Sequence, residues 1–332
     1  MARVRIADVA AAAGVSPTTA SHALTGRRPV SAATLANVRK AVADLNYRAN
    51  AVARSLRTQR TLAVALIVPD ITNPFYPMVA RGVQDTISDA GYQLIICSTD
   101  ADLARELRAL RDMVSRAVDG MIVSLFRASD DDLADVAASG IPFVMLGPME
   151  GPNLGDRVMG DDRVSVSEAT RKLLNSGRKC IAFVGAAQGV GPGDSRLAGY
   201  EDAMLAAGVA LDPNLILRSD YSRAGARAAT AQLVGREPPV DAIICANDLT
   251  AIGVMDALKI AGLSVPSDVA VIGFDDIESA ALVSPALTTV DNRAYDKGVV
   301  CGRILLQRMS GEITGAFRHI VVPSHFVVRE SA

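Results

Sequence analysis

Apolar positions follow two different patterns along the chain. Over residues 6–45 they recur at helical spacing: Ile6, Val9, Ala10 and Ala13 share one face, Ala20, Ala23 and Leu24 a second, and Leu35, Val38, Val42 and Leu45 a third. Gly14 permits a tight turn after the first of these helices, and Val15 packs back on it. Ser16 followed by Pro17 is a cap and first-turn signal for the second helix, and the third starts at Ser31. The pattern predicts a three-helix head containing a helix-turn-helix. It leaves Pro17, Thr18, Ser21 and His22 outward, short groups able to enter a DNA major groove.

From residue 61 the pattern changes. Short runs rich in Val, Ile and Leu (62–68, 93–97, 121–125, 143–146, 180–184, 242–245, 269–274) alternate with amphipathic stretches (78–90, 104–116, 165–175, 250–261). Such runs between helices predict parallel strands buried on both faces. So many strands predict two sheets in two lobes with a cleft between them, and ligands bind such sheets at the carboxyl ends of strands. Polar residues follow the strands there, among them Asp70, Asn73, Ser124, Asn247 and Asp275. A last strand-like run covers 320–328.

Composition sharpens the division. The 332 residues are 50% hydrophobic and 21% charged, enough for sizeable cores and too apolar for wholesale disorder. The net charge of −2 conceals an asymmetry: residues 1–60 hold ten Lys/Arg against Asp8 and Asp44, a net of +8, and the rest is −10. A basic head on an acidic body points to a polyanion partner. No apolar stretch approaches the roughly 18–20 residues that span a bilayer, and the first residues lead to Asp8 rather than into an apolar run. The reading is therefore no signal peptide, no membrane and a cytoplasmic location.

Enzyme signals are missing. Cys97, Cys180, Cys245 and Cys301 lie far apart, three of them in or beside strand-like runs, and read as reduced core thiols rather than as a metal or redox site. The segment 189–194 has the outline of a dinucleotide fingerprint, but its third glycine is missing and Pro192 stands where backbone donors should face a pyrophosphate. Three histidines leave little for acid–base chemistry, so no enzyme, cofactor or metal is expected.

In the head, Ile6-Ala7-Asp8-Val9-Ala10, Ala13-Gly14-Val15-Ser16, Thr19-Ala20-Ser21-His22, Leu45-Asn46-Tyr47 and Ala51-Val52-Ala53-Arg54-Ser55-Leu56-Arg57 are similar to the LacI/GalR family of bacterial transcription regulators. The resemblance continues through Asn73-Pro74-Phe75, Val118-Asp119-Gly120, Arg196-Leu197-Ala198-Gly199-Tyr200, Ala246-Asn247-Asp248, Ile272-Gly273-Phe274-Asp275-Asp276 and Leu287-Thr288-Thr289-Val290, so it spans the chain in order. It departs from the family pattern at Arg5, where a capping Thr is usual, at Leu35, where Arg is common, and at Ala49, where Pro normally precedes Asn50.

The resemblance implies an α/β fold: a helix-turn-helix DNA-binding domain at 1–46, a hinge helix or linker at 47–60, and a periplasmic-binding-protein-like, two-lobed effector and dimerisation domain at 61–332. It implies a homodimer reading double-stranded, near-palindromic operator DNA, most simply as a repressor. Pro17, Thr18 and His22 match its major-groove positions; Thr19, Ser21, Ser31 and Asn50 join them as contacts. Leu56 matches the leucine wedged into the minor groove, with Ala53 and Arg54 beside it.

Arg196, Asn247 and Asp275 match pocket residues, and Tyr221 matches an aromatic that stacks on a ring; Asp70, Asn73, Phe75, Ser124 and Asn292 surround the same cleft. These groups suit a sugar or sugar-derived effector, with a purine or another small metabolite as the alternative. Gly147 stands where relatives often place Asp, which implies a bulkier ligand or one hydroxyl contact fewer. A solute-binding protein would share the body but lack the basic head. Whether ligand releases or recruits DNA stays open. No leucine heptad follows the last strand, so a dimer is expected rather than a tetramer.

Overall fold

The computed structural model describes residues 4–26, 28–47, 60–129, 131–148 and 154–332 and divides into two compact units, Met1–Thr61 and Leu62–Ala332. In the first, α1 (Ile6–Ala12), α2 (Pro17–Thr25) and α3 (Ala32–Asp44) close on Val9, Ala10, Ala13, Ala20, Val38 and Ala41. Burying a whole valine contributes about 1.5–3 kcal/mol, so a core this small leans on its helix ends. Ser16 and Ser31 cap α2 and α3, each hydroxyl accepting the backbone N–H three residues on at 3.1 Å. Gly14 and Gly26 both have φ +67, a left-handed conformation that a Cβ would strain.

Arg5 brings no capping oxygen to α1. The Asp8 carboxylate instead accepts the Arg5 N–H at 2.7 Å, the reciprocal half of a capping box. Two expectations for this core change. Leu24 is exposed, since it lies in the last turn of α2, and Ala20 with Ala23 beside it closes the core there. On α3 the centre is taken by Val38 and Ala41, while Leu35, Val42 and Leu45 are only half-buried.

The second unit runs β1 (Ala63–Val68), α4 (Phe75–Ser88), β2 (Gln93–Ser98), α5 (Leu103–Ser115), β3 (Gly120–Val123), α6 (Ala134–Ala138), β4 (Phe143–Leu146), β5 (Asp156–Met159) and α7 (Asp162–Asn175). It continues through β6 (Ile181–Ala186), α8 (Gly193–Ala206), β7 (Ile216–Ser219), α9 (Arg223–Thr230), β8 (Ala242–Cys245), α10 (Asp248–Ile260), β9 (Ala270–Ile272) and α11 (Glu278–Leu282). It closes with β10 (Thr289–Asp291), α12 (Ala294–Ser310), β11 (His319–Val321) and β12 (His325–Val327).

One lobe holds a parallel six-stranded sheet, β11-β5-β4-β3-β1-β2, and the other a parallel four-stranded sheet, β7-β6-β8-β9. The antiparallel pair β10–β12 forms a separate ribbon. The chain crosses between lobes from β5 to α7, returns through β10 into α12, and crosses again from β11 to β12. Each sheet has an apolar cluster on both faces, which is why its strands read as unbroken hydrophobic runs. Helix α12 is seated tightly on α4: a Cβ at Gly82 would lie 2.2 Å from the Tyr295 carbonyl oxygen, and one at Gly298 2.2 Å from that of Val79.

The run at 320–328 is two strands rather than one, because Pro323 interrupts it and the halves join different sheets. The run at 269–274 is a strand only over Ala270–Ile272. Strand β5 escapes the hydrophobic pattern because it carries charge. Its buried Asp156 accepts Arg308 Nε at 2.7 Å and Nη2 at 2.9 Å, a bidentate pair that makes a polar strand tolerable inside the lobe. Cys245 and Cys301 are buried, Cys97 and Cys180 half-buried, and all four are free thiols.

Candidate functional site

Two regions carry the expected chemistry. In the head, Pro17 and Thr18 are exposed at the start of α2, and Ser21 and His22 are half-buried one turn on. Thr19 and Ser31 have structural work already: Thr19 pairs its hydroxyl with that of Ser16 at 2.8 Å, and Ser31 caps α3. Asn50, Ala53, Arg54 and Leu56 lie outside the described residues.

In the second unit a cavity of about 950 Å³ opens between the lobes, at the carboxyl ends of strands from both sheets. Asp70, Asn73, Phe75, Ser124, Arg196, Tyr221, Asn247, Asp275 and Asn292 all line it. They arrive from loops after β1, β3, β7, β8, β9 and β10 and from α4 and α8. Gly147, after β4, lines it too. Its φ of +114 would strain a side chain, although a Cβ there would meet nothing within 4 Å. Gly147 therefore answers to its backbone as well as to any ligand.

The deep end of the cavity is a buried charged network. Arg196 donates from Nε to Asp162 Oδ2 at 2.7 Å and from Nη1 to the Ala246 carbonyl, its Nη2 lies 3.7 Å from Asp275 Oδ1, and its guanidinium stacks 3.8 Å over the Phe274 ring. Burial works against the Arg196 charge, but Asp162 and Asp275 outweigh it and hold the guanidinium firmly protonated. Burial likewise pushes Asp275 up to about 6, against the pull of Arg196 and the Asn292 amide. Asn292 donates from Nδ2 to Asp275 Oδ1 at 2.9 Å, while its Oδ1 accepts from Lys297 Nζ.

Backbone geometry serves the same end. Asp275 has φ +115 and Tyr221 φ +64, conformations costing about 1–3 kcal/mol that persist only where the surroundings impose them. For Asp275 the restraint is its N–H donating to the Val290 carbonyl at 2.8 Å. For Tyr221 it is Asn247, which caps α10 through the Thr250 N–H at 2.8 Å and donates from Nδ2 to the Tyr221 carbonyl at 3.2 Å. The Tyr221 hydroxyl donates to the Val190 carbonyl at 3.0 Å.

Among the lining residues that the sequence reading missed are Tyr76, Phe126, Gly160, Asp162 and Lys297. Tyr76 hydrogen-bonds Ser124, and burial raises its hydroxyl well above the usual range. Phe126 crosses the cleft to within 5.5 Å of the Tyr221 ring and fills the space that a side chain on Gly191 would need. Its loop hangs on the buried Glu106 carboxylate, which accepts the N–H groups of Phe126, Arg127 and Ala128 at 2.8, 3.1 and 2.7 Å. Lys297 did leave a signal: it falls on the apolar stripe of α12 with Cys301, Ile304 and Leu305, where a charge is out of place. Asp162 follows the unread strand β5 and left none.

Hydrogen-bonding groups of both kinds, with Phe75, Phe126 and Tyr221 as apolar surfaces, can hold a polyhydroxylated or ring-shaped small molecule. Among the described residues no group of three or more His, Cys, Asp or Glu side chains is placed to hold a metal, and no helix is long and apolar enough to cross a membrane.

Comparison with known proteins gives two family matches: bacterial regulatory proteins of the lacI family over residues 5–50, and a periplasmic binding protein-like domain over 170–332. The ribose operon repressor of Halalkalibacterium halodurans is 32% identical over 326 residues, 98% of this chain and 96% of that protein. The HTH-type transcriptional repressor PurR of Photobacterium profundum is 35% identical over 308 residues, covering 92% and 91%. The solved complex of the transcriptional regulator CelR with cellobiose is 32% identical, with a TM-score of 0.75 over 99% of this chain and 100% of that one.

Proposed function

The chain belongs to the lacI family of bacterial regulatory proteins, and on that premise we propose that it is a cytoplasmic, homodimeric repressor that binds a near-palindromic operator and is controlled by a sugar or sugar-derived effector. Residues 1–46 read the DNA, 47–60 form the hinge and 61–332 bind the effector and dimerise. It needs no cofactor and has no catalytic role. Pro17, Thr18 and His22 meet bases, Thr19, Ser21, Ser31 and Asn50 support them, and Leu56 enters the minor groove with Ala53 and Arg54 beside it.

The observation that carries the sensing half is the convergence of nine residues, from positions 70 to 292 of the chain, on one cavity between two lobes. Its hydrogen-bonding groups suit ring hydroxyls, and two similar proteins are named for ribose and cellobiose. A nucleobase is the second reading, favoured by the rings of Phe126 and Tyr221 at the cavity. Ligand bound across the lobes would favour one lobe arrangement and so alter operator affinity.

Selection of bound DNA from a random pool tests the reading half. A near-palindrome with a pyrimidine–purine step at its centre, where a wedge kinks DNA most easily, is the expected result. No enrichment over non-specific binding would overturn it.

A further inference from the structure

Lys297 is a buried cation of the cavity wall with no carboxylate of the described residues within ion-pair distance. It is 3% exposed, and its Nζ donates to the neutral amide oxygen of Asn292. The two carboxylates of the deep network are turned toward Arg196: Asp162 is bonded to it at 2.7 Å and Asp275 lies 3.7 Å from it. Among the described residues Lys297 forms no ion pair. An ammonium has three donors, and burial without a counter-charge is costly. Burial accordingly draws the Lys297 ammonium below its ordinary range, with Asp162, Asp275 and Asp161 offsetting it only in part and the Arg196 charge adding to it.

The surroundings keep this ammonium at the cavity wall. Helix α12 is locked against α4 at Gly82 and Gly298. Gly160 supplies the space, because a Cβ there would lie 2.7 Å from Lys297 Nζ and 2.5 Å from Asp162 Oδ1. The Phe75 ring, centred 5.9 Å away, forms an apolar wall on another side.

We propose that the effector is a sugar acid, a polyhydroxylated carboxylate whose anionic group pairs with Lys297 while its hydroxyls meet Asp275, Asn292 and Asn247. This rests on the reading of the cavity as the effector site and narrows its chemistry. A carboxylate suits the position better than a phosphate. A single ammonium matches a single negative charge, whereas the second charge of a phosphate would add to the repulsion from the neighbouring Asp162, Asp275 and Asp161 carboxylates.

The test is calorimetric titration of the full-length protein with gluconate, galactonate, glucuronate and galacturonate, with glucose and galactose as neutral counterparts, and with glucose 6-phosphate and hypoxanthine. One of the acids should bind at least about tenfold tighter than its neutral counterpart, as expected for a desolvated ion pair. In Lys297→Met that preference should fall to within about twofold, and in Lys297→Arg it should largely survive. Lys297→Met keeps nearly the same length but loses the bond to Asn292, so a thermal melt is run beside each titration to show that the variant is folded.

Equal binding of acid and neutral sugar, or a preference that persists in Lys297→Met, would overturn the inference and leave the sugar-sensing reading standing. Tightest binding of the sugar phosphate would overturn the carboxylate assignment. Binding of hypoxanthine alone, or of nothing in the panel, would overturn the inference and the sugar-sensing reading together.

Discussion

The head and the inter-lobe cavity meet the problem of displaying polar groups in opposite ways. The head keeps the polar groups of α2 exposed or half-buried on a core of six small side chains, and its polar bonds are local: Ser16 to Thr19, Ser31 to Thr34, Asp8 to Arg5. The cavity buries its charged groups and ties them together over distance, from Asp162 through Arg196 and Asp275 to Asn292 and Lys297. A surface built from local bonds loses stability in small steps and can change specificity cheaply. A buried network stands or falls as a unit, and that stiffness lets it distinguish ligands.

The largest difference should follow Arg196→Met. It leaves the Asp162 and Asp275 carboxylates buried without their cation and should cost the second unit about 3–5 kcal/mol, read as a loss in the denaturation midpoint. A midpoint shift no larger than that of an exposed-site control would mean that the network does not act as a unit.

The next is set by pH. Burial raises Asp275 to about 6 from an unfolded value of 3.8, so the folded state takes up the proton more readily than the unfolded chain. The stability this group contributes is complete below the unfolded value and is lost as pH rises through the folded one. Asp275→Asn cannot titrate, so its stability relative to the parent should rise by on the order of 2–3 kcal/mol between pH 4 and 7 and then level off. A difference independent of pH would contradict the assignment.

In the head the effects are smaller. Ser16→Ala removes the cap of α2 and should cost about 1 kcal/mol, measured by thermal melting of the head transition. His22→Ala should leave the melting temperature nearly unchanged. It should instead lower the ratio of operator to random-DNA affinity, with an outward base contact accounting for about 1–3 kcal/mol of discrimination. An equal loss on both DNAs would assign His22 to the phosphates.

The same contrast explains what could be read from the chain beforehand. The head was legible because its signals are local: a capping serine, a proline at the first helical position and a turn glycine each act within four residues. Most strands of the two sheets were legible as apolar runs. Strands β5 and β7 were not: Asp156 of β5 is neutralised by Arg308, 152 residues further on, and β7 is only four residues long and ends in Arg218 and Ser219. Nor was Leu24 readable as exposed, because periodicity does not reveal how little volume a small core has to fill.

Within the cavity Asp70, Asn73, Ser124, Asn247 and Asp275 follow apolar runs, Arg196, Tyr221 and Asn292 were named through the family resemblance, and Asp162 and Phe126 were missed. Asp162 has meaning only beside Arg196, and Phe126 only through the space at Gly191 and the Glu106 carboxylate that holds its loop. Gly147 could be placed at the cavity from the sequence, but its φ of +114 could not.

The most direct test of the whole account links its two regions. The operator recovered by selection is titrated with full-length protein, and binding is followed by fluorescence anisotropy with and without a saturating concentration of the ligand that binds the cavity. The account predicts a change in operator affinity of about fivefold or more, the range of ordinary allosteric coupling, and the direction of the change fixes whether the ligand induces or corepresses. Identical affinity with and without a ligand known to occupy the cavity would contradict it.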